Sequence, residues 1–158
     1  MSTPRILFVC LGNICRSPLA EAAFRAAAAR IGLDAEADSA GTGNWHRGEP
    51  PDRRAIAAAR RNGVDISHLR ARQVRPVDFA HFDHIVALDD ENLADLEAVR
   101  PAGSGARLSL LLDHVSGREG QAVADPYYGS DSHFDVTWHD VSEAARALAD
   151  KLAREKAP

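Results

Sequence analysis

The 158-residue sequence has the length of one domain, predicted here to span residues 1–158, and a domain of this size buries roughly 70% of its unfolded surface. Its net charge of −4 and modest aromatic content argue against a nucleic-acid-binding protein, which is normally basic. The sequence has neither the run of roughly 20 apolar residues that a membrane span needs nor the core of a signal peptide. The two cysteines do not make a secretory disulfide framework. We therefore expect no nucleic-acid or membrane partner and a reducing compartment, the cytoplasm.

The first predicted elements are a strand, a loop and a helix. Ile6–Val9 is an unbroken apolar run, typical of a parallel strand that is buried on both faces. Ser17 suits the N-cap of a helix, Pro18 suits its first position, and Gly32 is placed to end it. Between strand and helix lies Cys10-Leu-Gly-Asn-Ile-Cys-Arg16, in which five residues separate a cysteine from an arginine.

This loop has the composition of a site for a tetrahedral oxyanion. In a strand–loop–helix turn, successive backbone N–H groups point inward and the helix N-terminus adds positive charge. Gly12 and Asn13 tolerate the unusual backbone angles that such a turn requires, and Arg16 can pair with two oxygens of the anion. Cys10 leaves the strand toward the same site, where an electropositive setting favours the nucleophilic thiolate. The loop is not a Walker loop, because no Gly-Lys-Ser/Thr follows.

The rest of the chain alternates predicted strands with predicted helices. We predict strands at 35–39, 84–88 and 106–110, and helices at 52–62 and 90–99. A final helix is indicated by apolar residues at steps of four and three: Phe134, Trp138, Val141, Ala145, Leu148 and Leu152. This alternation predicts an α/β fold with three layers, in which a parallel sheet has helices on both faces. In such folds ligands bind outside the carboxyl ends of the strands, where the loop 10–16 is expected.

Asp125-Pro-Tyr-Tyr-Gly129 is the second candidate for chemistry. Phosphoryl transfer to a thiolate needs an acid for the departing oxygen and then a base for the attacking water. Asp125 is the best candidate, because it lies in a predicted loop, Pro126 fixes the backbone beside its carboxylate, and two aromatic residues follow. Loops at one end of such a sheet converge, so its distance from Cys10 along the chain is no objection.

Together, Val9-Cys-Leu-Gly-Asn-Ile-Cys-Arg-Ser-Pro18 and Asp125-Pro-Tyr-Tyr-Gly129 resemble the low-molecular-weight protein tyrosine phosphatase family, over essentially the whole chain. The resemblance implies a flavodoxin-like fold whose four-stranded parallel sheet has the order 2-1-3-4. It also implies that Cys10 is the nucleophile, Arg16 the phosphate ligand, and Asp125 the general acid and then base. Ser17 would donate a hydrogen bond to the departing sulfur. No cofactor and no metal are implied.

The resemblance also implies an aromatic substrate cleft. Tyr127 and Tyr128 would wall this cleft, and Leu11 and Ile14 would add apolar surface. Trp45 would complete a slot for a phosphorylated phenol; alternatively, it is a core or lid aromatic without substrate contact.

Four residues match family positions whose hydrogen bonds hold the phosphate-binding loop in shape: Asn13, Ser17, Ser39 and His68. Read without the resemblance, His68 is an ordinary, partly exposed histidine. The other six histidines lack metal-ligand spacing, so no metal site is predicted.

Cys15 lies in the same loop as Cys10. The resemblance implies a reversible Cys10–Cys15 disulfide that protects the nucleophile from over-oxidation. The alternative is that Cys15 is a small side chain buried beneath the loop.

Three other functions compete with the phosphotyrosine phosphatase. An arsenate reductase of this fold needs further cysteines downstream, and none follows Cys15. Related phosphatases that cleave phosphoarginine carry a threonine where this chain has Ile14, whose apolar side chain fits an aromatic ester better. A non-catalytic anion-binding module would need neither Cys10 nor Asp125. We therefore predict hydrolysis of phosphotyrosine in proteins or peptides and of small aryl phosphates, by a monomer or a weakly self-associating dimer.

Overall fold

Four parallel strands form one sheet in the computed structural model, which describes residues 3–156. The strands are β1 (Arg5–Cys10), β2 (Glu36–Gly41), β3 (His84–Ala87) and β4 (Arg107–Leu110). Their order is β2-β1-β3-β4, which confirms the expected topology. Every predicted strand is present, with each end within two residues of its predicted position.

In the part of the chain that the structure describes, five α-helices flank the sheet: α1 (Arg16–Arg30), α2 (Arg53–Arg61), α3 (Asp78–His81), α4 (Asp90–Val99) and α5 (Asp131–Lys156). A 3₁₀-helix, Leu111–His114, follows β4. α1, α2 and α5 pack together, while α4 packs against β3 and β4. The three-layer prediction is therefore confirmed. The four-residue α3 and the 3₁₀-helix were not predicted, because such short elements carry no apolar periodicity. Within residues 3–156, none of the helices combines the length and apolar character needed to cross a bilayer.

β1 lies at the centre of the sheet and is buried on both faces. Ile6, Phe8 and Cys10 belong to the apolar cluster on the side of α1 and α5, whereas Leu7 and Val9 belong to the cluster on the opposite face. Burial of each large apolar side chain stabilises the folded state by about 1.5–3 kcal/mol. This alternation places the Cys10 side chain at the carboxyl end of β1, on the face that α1 covers.

The start of α1 differs from the prediction. The helix begins at Arg16, with Cys15 at the N-cap position, so the prediction that Ser17 is the N-cap is wrong. Ser17 lies in the first helical turn, and its Oγ lies 3.0 Å from Cys10 Sγ instead of capping the helix. Pro18 is still accommodated, because backbone N–H groups in a first turn have no intrahelical acceptor to lose.

Aspartates cap the two helices that begin beside the loop 10–16. Asp52 accepts a hydrogen bond from the Arg54 amide at 2.8 Å at the start of α2, and Asp89 accepts one from the Asn92 amide at 2.7 Å at the start of α4. Such caps stabilise a helix by about 0.5–2 kcal/mol. They also fix two carboxylates at the carboxyl edge of the sheet.

Candidate active site

The backbone of loop 10–16 forms a cradle of amides. Three of its carbonyl groups accept hydrogen bonds from amides outside the loop: Cys10 from Thr42 at 2.9 Å, Leu11 from Gly43 at 2.9 Å, and Ile14 from Asp52 at 2.8 Å. A trans peptide directs its N–H opposite to its C=O. The N–H groups of Leu11, Gly12 and Cys15 are therefore directed toward the inside of the loop, where they can bind an anion.

The end of β2 supports this backbone directly. A Cβ atom added to Gly41 would lie 2.7 Å from the Leu11 carbonyl oxygen and 3.2 Å from the Asn13 amide nitrogen, so only glycine fits there. Asn13 itself has a positive φ of 59°, which asparagine adopts more readily than most residues. The close contact with the backbone of β2 therefore helps to fix the shape of the loop 10–16.

The Asn13 side chain holds the loop through a buried network. Its Nδ2 donates to Ser17 Oγ at 2.7 Å and to Ser39 Oγ at 3.0 Å, and its Oδ1 accepts from the Arg72 amide at 3.0 Å. Ser39 Oγ donates onward to Glu21 Oε1 at 2.8 Å. The structure thus brings together Asn13, Ser17 and Ser39, three of the four residues that the resemblance assigns to this network.

His68 lies outside this network, and its predicted role is wrong. Its side chain is exposed, and both amide hydrogens and the carbonyl oxygen of Asn13 have other partners. The irregular segment 64–78 supports the loop through the Arg72 backbone rather than through a side chain at position 68.

Glu21 is a buried member of the network that sequence reasoning did not assign. It is 2% exposed, and Arg25 Nε donates to its carboxylate at 3.0 Å. Burial raises its pKa, while the hydrogen bond from Ser39 and the charge of Arg25 oppose that change. A glutamate in the first two turns of α1 with an arginine four residues later was the available signal.

Arg16 is buried and held from outside the loop. Its side chain is 3% exposed, and its Nη1 donates to Asp89 Oδ2 at 2.7 Å and to the Val123 carbonyl at 3.0 Å. Nη2 lies 3.7 Å from Asp125 Oδ2. Sequence reasoning did not assign Asp89 to the site; its place two residues after the end of β3, the strand beside β1, was the signal for a role there.

The two cysteines have different surroundings. Cys10 Sγ lies 3.0 Å from Ser17 Oγ, and because Asn13 donates to that oxygen, the Ser17 O–H can donate either to the sulfur or to the Ala40 carbonyl, which is more distant at 3.4 Å. For Cys15, burial and then the nearby Asp52 carboxylate raise the thiol pKa far above its ordinary value. Cys15 is therefore a neutral thiol at physiological pH, and Cys10 is the candidate nucleophile.

Asp125 lies at the rim of the same site. Its Oδ1 accepts a hydrogen bond from the Tyr127 amide at 3.1 Å, and its side chain is 44% exposed. The rings of Tyr127 and Tyr128 meet edge to face, with centroids 4.9 Å apart. Trp45 is 67% exposed, so it is not a core residue.

A cavity of about 260 Å³ joins these parts. Ten of the predicted site residues line it: Cys10, Leu11, Gly12, Ile14, Cys15, Arg16, Trp45, Asp125, Tyr127 and Tyr128. His46, which was not assigned to the site, also lines the cavity, packs near Gly12, and has its ring centroid 6.5 Å from that of Tyr127. Its position directly after Trp45 was the only signal. Among residues 3–156, no group of three histidine, cysteine or acidic side chains is arranged to hold a metal ion.

Comparison with known proteins places this site in a family. The family model of the low molecular weight phosphotyrosine protein phosphatases matches residues 5–157. A protein of that name from Schizosaccharomyces pombe is 45% identical over 133 residues, covering 82% of this chain and 85% of the relative. The chain belongs to the low molecular weight phosphotyrosine protein phosphatase family. It is therefore an enzyme of the hydrolase class.

Solved structures agree with this assignment. A protein tyrosine phosphatase from Entamoeba histolytica, solved with Hepes in its active site, is 32% identical with a TM-score of 0.91, covering 98% of this chain and 100% of that one. Wzb from Vibrio vulnificus, solved in complex with benzylphosphonate, is 27% identical with a TM-score of 0.83, covering 95% of this chain and 99% of that one.

Proposed function

We propose that this chain, as a single phosphatase domain over residues 1–158, hydrolyses phosphotyrosine in proteins and peptides, and small aryl phosphates, through a phosphocysteine intermediate on Cys10. The observation that carries the proposal is the cavity itself, which Cys10, Arg16 and Asp125 all line, with Arg16 Nη2 3.7 Å from the Asp125 carboxylate. A nucleophile, a cation for the phosphate and an acid at the rim are the groups that this displacement requires.

In the first step the inward amides and Arg16 bind the phosphate dianion and then its spread charge in the transition state. The Cys10 thiolate attacks phosphorus in line with the departing group. As the S–P bond forms and the P–O bond to the tyrosyl ring breaks, Asp125 gives its proton to the phenolic oxygen. The products are phosphocysteine, a peptide or protein whose tyrosine side chain carries its hydroxyl again, and an ionised Asp125.

In the second step a water molecule attacks phosphorus and Asp125 takes its proton. The S–P bond breaks, inorganic phosphate forms, and the thiolate of Cys10 returns. The Ser17 hydroxyl, 3.0 Å from Cys10 Sγ, donates to the sulfur as its charge develops. A thiolate nucleophile persists in a reducing compartment, so we assign the enzyme to the cytoplasm.

The cavity walls favour an aromatic phosphate ester. Tyr127, Tyr128 and Trp45 line the cavity with aromatic side chains, and Ile14 adds an apolar surface. Benzylphosphonate, which is bound by the Vibrio vulnificus relative, likewise joins an aromatic ring to a tetrahedral phosphorus group.

The test is hydrolysis, with chelator present, of a phosphotyrosine peptide and a phosphoarginine peptide of otherwise identical sequence. Activity on phosphotyrosine that disappears in Cys10→Ser supports the proposal. Preference for phosphoarginine would keep the nucleophile and overturn the role assigned to Ile14. Inactivity on both peptides would leave an anion-binding module.

Oxidation is a second property that we assign to the site. Cys10 and Cys15 are both free, buried thiols in the same loop. We propose that a peroxide takes two electrons and two protons from the pair, so that a Cys10–Cys15 disulfide forms. The O–O bond breaks, and the peroxide leaves as two water molecules or as one water and one alcohol. Mass spectrometry after brief peroxide treatment would detect the disulfide, and a thiol reductant would restore activity. Irreversible sulfonic acid on Cys10 at the same dose would contradict it.

A further inference from the structure

Arg54, in the first turn of α2, connects the two halves of the site from outside the cavity. Its Nη1 donates to the Gly129 carbonyl at 3.0 Å and its Nη2 to the Tyr127 carbonyl at 2.9 Å. Its Nε and Nη2 also donate to the two carboxylate oxygens of Asp52, each at 3.0 Å. The guanidinium carbon lies 4.5 Å from the ring centroid of Phe134, the first fully buried residue of α5.

Asp52 carries this contact to the phosphate-binding loop. Its backbone amide donates to the Ile14 carbonyl at 2.8 Å, while its carboxylate caps α2 and binds Arg54. Burial would raise the pKa of Asp52, but the hydrogen bonds from Arg54 outweigh burial and lower it. An ionised Asp52 thus ties Arg54 to the loop that holds the anion.

The segment that carries Asp125 has few other anchors. Val123 fixes its beginning, because its side chain is buried and its amide donates to the Leu88 carbonyl at 2.8 Å. Pro126 is also buried, but beyond it Tyr127 and Tyr128 are both exposed, Tyr128 by 96%. The far side of this segment therefore relies on Arg54, which binds two of its carbonyl groups at once.

We propose that Arg54 is a positioning residue for the general acid. By holding the backbone at 127 and 129 against α2, it keeps Asp125 beside Arg16, where a proton can reach the departing oxygen. The flat guanidinium is suited to this role because it can donate to two carbonyls and a carboxylate together, which an ammonium group cannot do in a fixed geometry. The inference rests on the proposed function, in which Asp125 is the acid.

The experiment compares Arg54→Ala, Arg54→Lys, Asp125→Ala and the double variant Arg54→Ala/Asp125→Ala. Rates are measured on a phosphotyrosine peptide, which has a poor leaving group, and on p-nitrophenyl phosphate, which has a good one. A general acid contributes about 10²–10⁴-fold, so loosening its position should lower kcat/KM on the peptide by roughly 10–100-fold. The loss of kcat/KM on p-nitrophenyl phosphate should be clearly smaller, because hydrolysis of phosphocysteine, which is common to both substrates, does not enter this constant.

Non-additivity is the decisive readout. If Arg54 acts through Asp125, Arg54→Ala should cause no further loss in a protein that already lacks Asp125, because residues that act as a unit are not additive. Arg54→Lys should recover part of the rate. Equal losses on both substrates that add fully to those of Asp125→Ala would overturn the proposal and leave Arg54 a merely structural residue.

A matched control lies on the same helix. Arg61 of α2 binds Asp135 of α5, with Nη2 2.6 Å from Oδ1, and this pair lies away from the cavity. Arg61→Ala should therefore show the same difference in rate between the two substrates as the unsubstituted enzyme. Thermal unfolding and binding of inorganic phosphate would show that each variant is folded with an intact anion loop.

Hydrogen exchange separates this proposal from the proposed function. The amides of residues 127 and 129 should exchange faster in Arg54→Ala than in Arg61→Ala, whatever group supplies the proton. Unchanged exchange would overturn the anchoring role. If exchange accelerates but Asp125→Ala slows both substrates equally, Asp125 is not the acid, and Arg54 anchors a segment whose chemistry must be reassigned.

Discussion

Asp89 and Arg16 are joined by a 2.7 Å hydrogen bond from Nη1 to Oδ2, and the other carboxylate oxygen of Asp89 caps α4. One side chain thus fixes both the start of a helix and the orientation of the buried guanidinium. Because Nη1 is occupied by Asp89 and the Val123 carbonyl, Nη2 is left on the side of Asp125 and the cavity. The edge of Arg16 that we propose binds the anion is therefore oriented by contacts within the protein itself.

Replacing Asp89 should separate these two roles. Asp89→Asn keeps a capping oxygen but removes the charge beside a guanidinium that is 3% exposed. We expect a loss of roughly 1–3 kcal/mol in the free energy of unfolding, below the 3–5 kcal/mol of a fully buried pair because Asp89 is partly exposed, and a kcat/KM at least about tenfold lower. Urea unfolding and steady-state kinetics measure the two effects. The exposed neighbour Asp90→Asn is the control, and equal behaviour of the two variants would contradict the role of the pair.

The two cysteines should respond differently to substitution. Cys10→Ser should abolish turnover while inorganic phosphate still binds, because the amides and Arg16 remain. Cys15→Ser should keep turnover within roughly tenfold, since a buried, neutral thiol takes no part in the displacement. Turnover rates and phosphate titration by calorimetry decide this. An inactive Cys15→Ser that still binds phosphate would show that Cys15 has a part in the chemistry.

Gly41→Ala should damage the site more than the fold. The added methyl group would overlap the Leu11 carbonyl oxygen, at 2.7 Å, so the loop backbone must move. A displacement of about 1 Å can cost 10²-fold in rate, whereas overpacking costs about 1–3 kcal/mol in stability. We expect kcat/KM to fall by roughly 10–100-fold in a protein that still folds. Gly105→Ala, whose Cβ would meet open space, is the control; similar kinetics for both variants would argue against the close approach of β2 to the loop.

His114 should make the fold acid-sensitive. Burial, and then the charge of Lys151, lower its pKa from 6.5 to about 4, and its Nε2 lies 3.0 Å from Ser109 Oγ. Between these values the unfolded chain binds a proton that the folded chain does not. Stability is therefore complete above pH 6.5 and falls as pH drops toward 4, by roughly 3 kcal/mol at most.

The measurement is the free energy of unfolding in urea at several pH values between 4 and 7. His114→Gln should flatten the acid limb by up to about 1.4 kcal/mol per pH unit, because one proton no longer distinguishes the two states. His84, whose pKa burial also lowers, would account for part of the slope that remains. An unchanged slope in His114→Gln would place the titrating group elsewhere.

Much of the site could be predicted because its central parts are local in sequence. Local sequence alone was enough to indicate a structure or a chemistry for three segments: Ile6–Val9, the loop 10–16 and the segment 125–129. The parallel alternation of strands and helices then indicated that these loops meet at one edge of the sheet.

What sequence reasoning missed depends on atoms that only tertiary structure brings together. Asp89, Glu21 and Arg54 are ordinary residues of helices until folding places them against Arg16, Ser39 and the 127–129 backbone. The N-cap prediction for Ser17 failed because a local preference was overridden by the nearby sulfur and amide. The prediction for His68 failed because the sequence does not show which atoms of the irregular segment 64–78 contact the loop 10–16.

The cradle of loop 10–16 also has a consequence for selectivity. Its carbonyl groups accept hydrogen bonds from the amides of Thr42, Gly43 and Asp52, so the loop does not have to become ordered when an anion binds. Binding should therefore involve stripping water from the anion more than closing the chain around it. Because the loop cannot change its shape to fit a different ligand, a flat trigonal anion such as nitrate should compete poorly with tetrahedral anions of similar charge. The fixed loop would thus select anions by their shape.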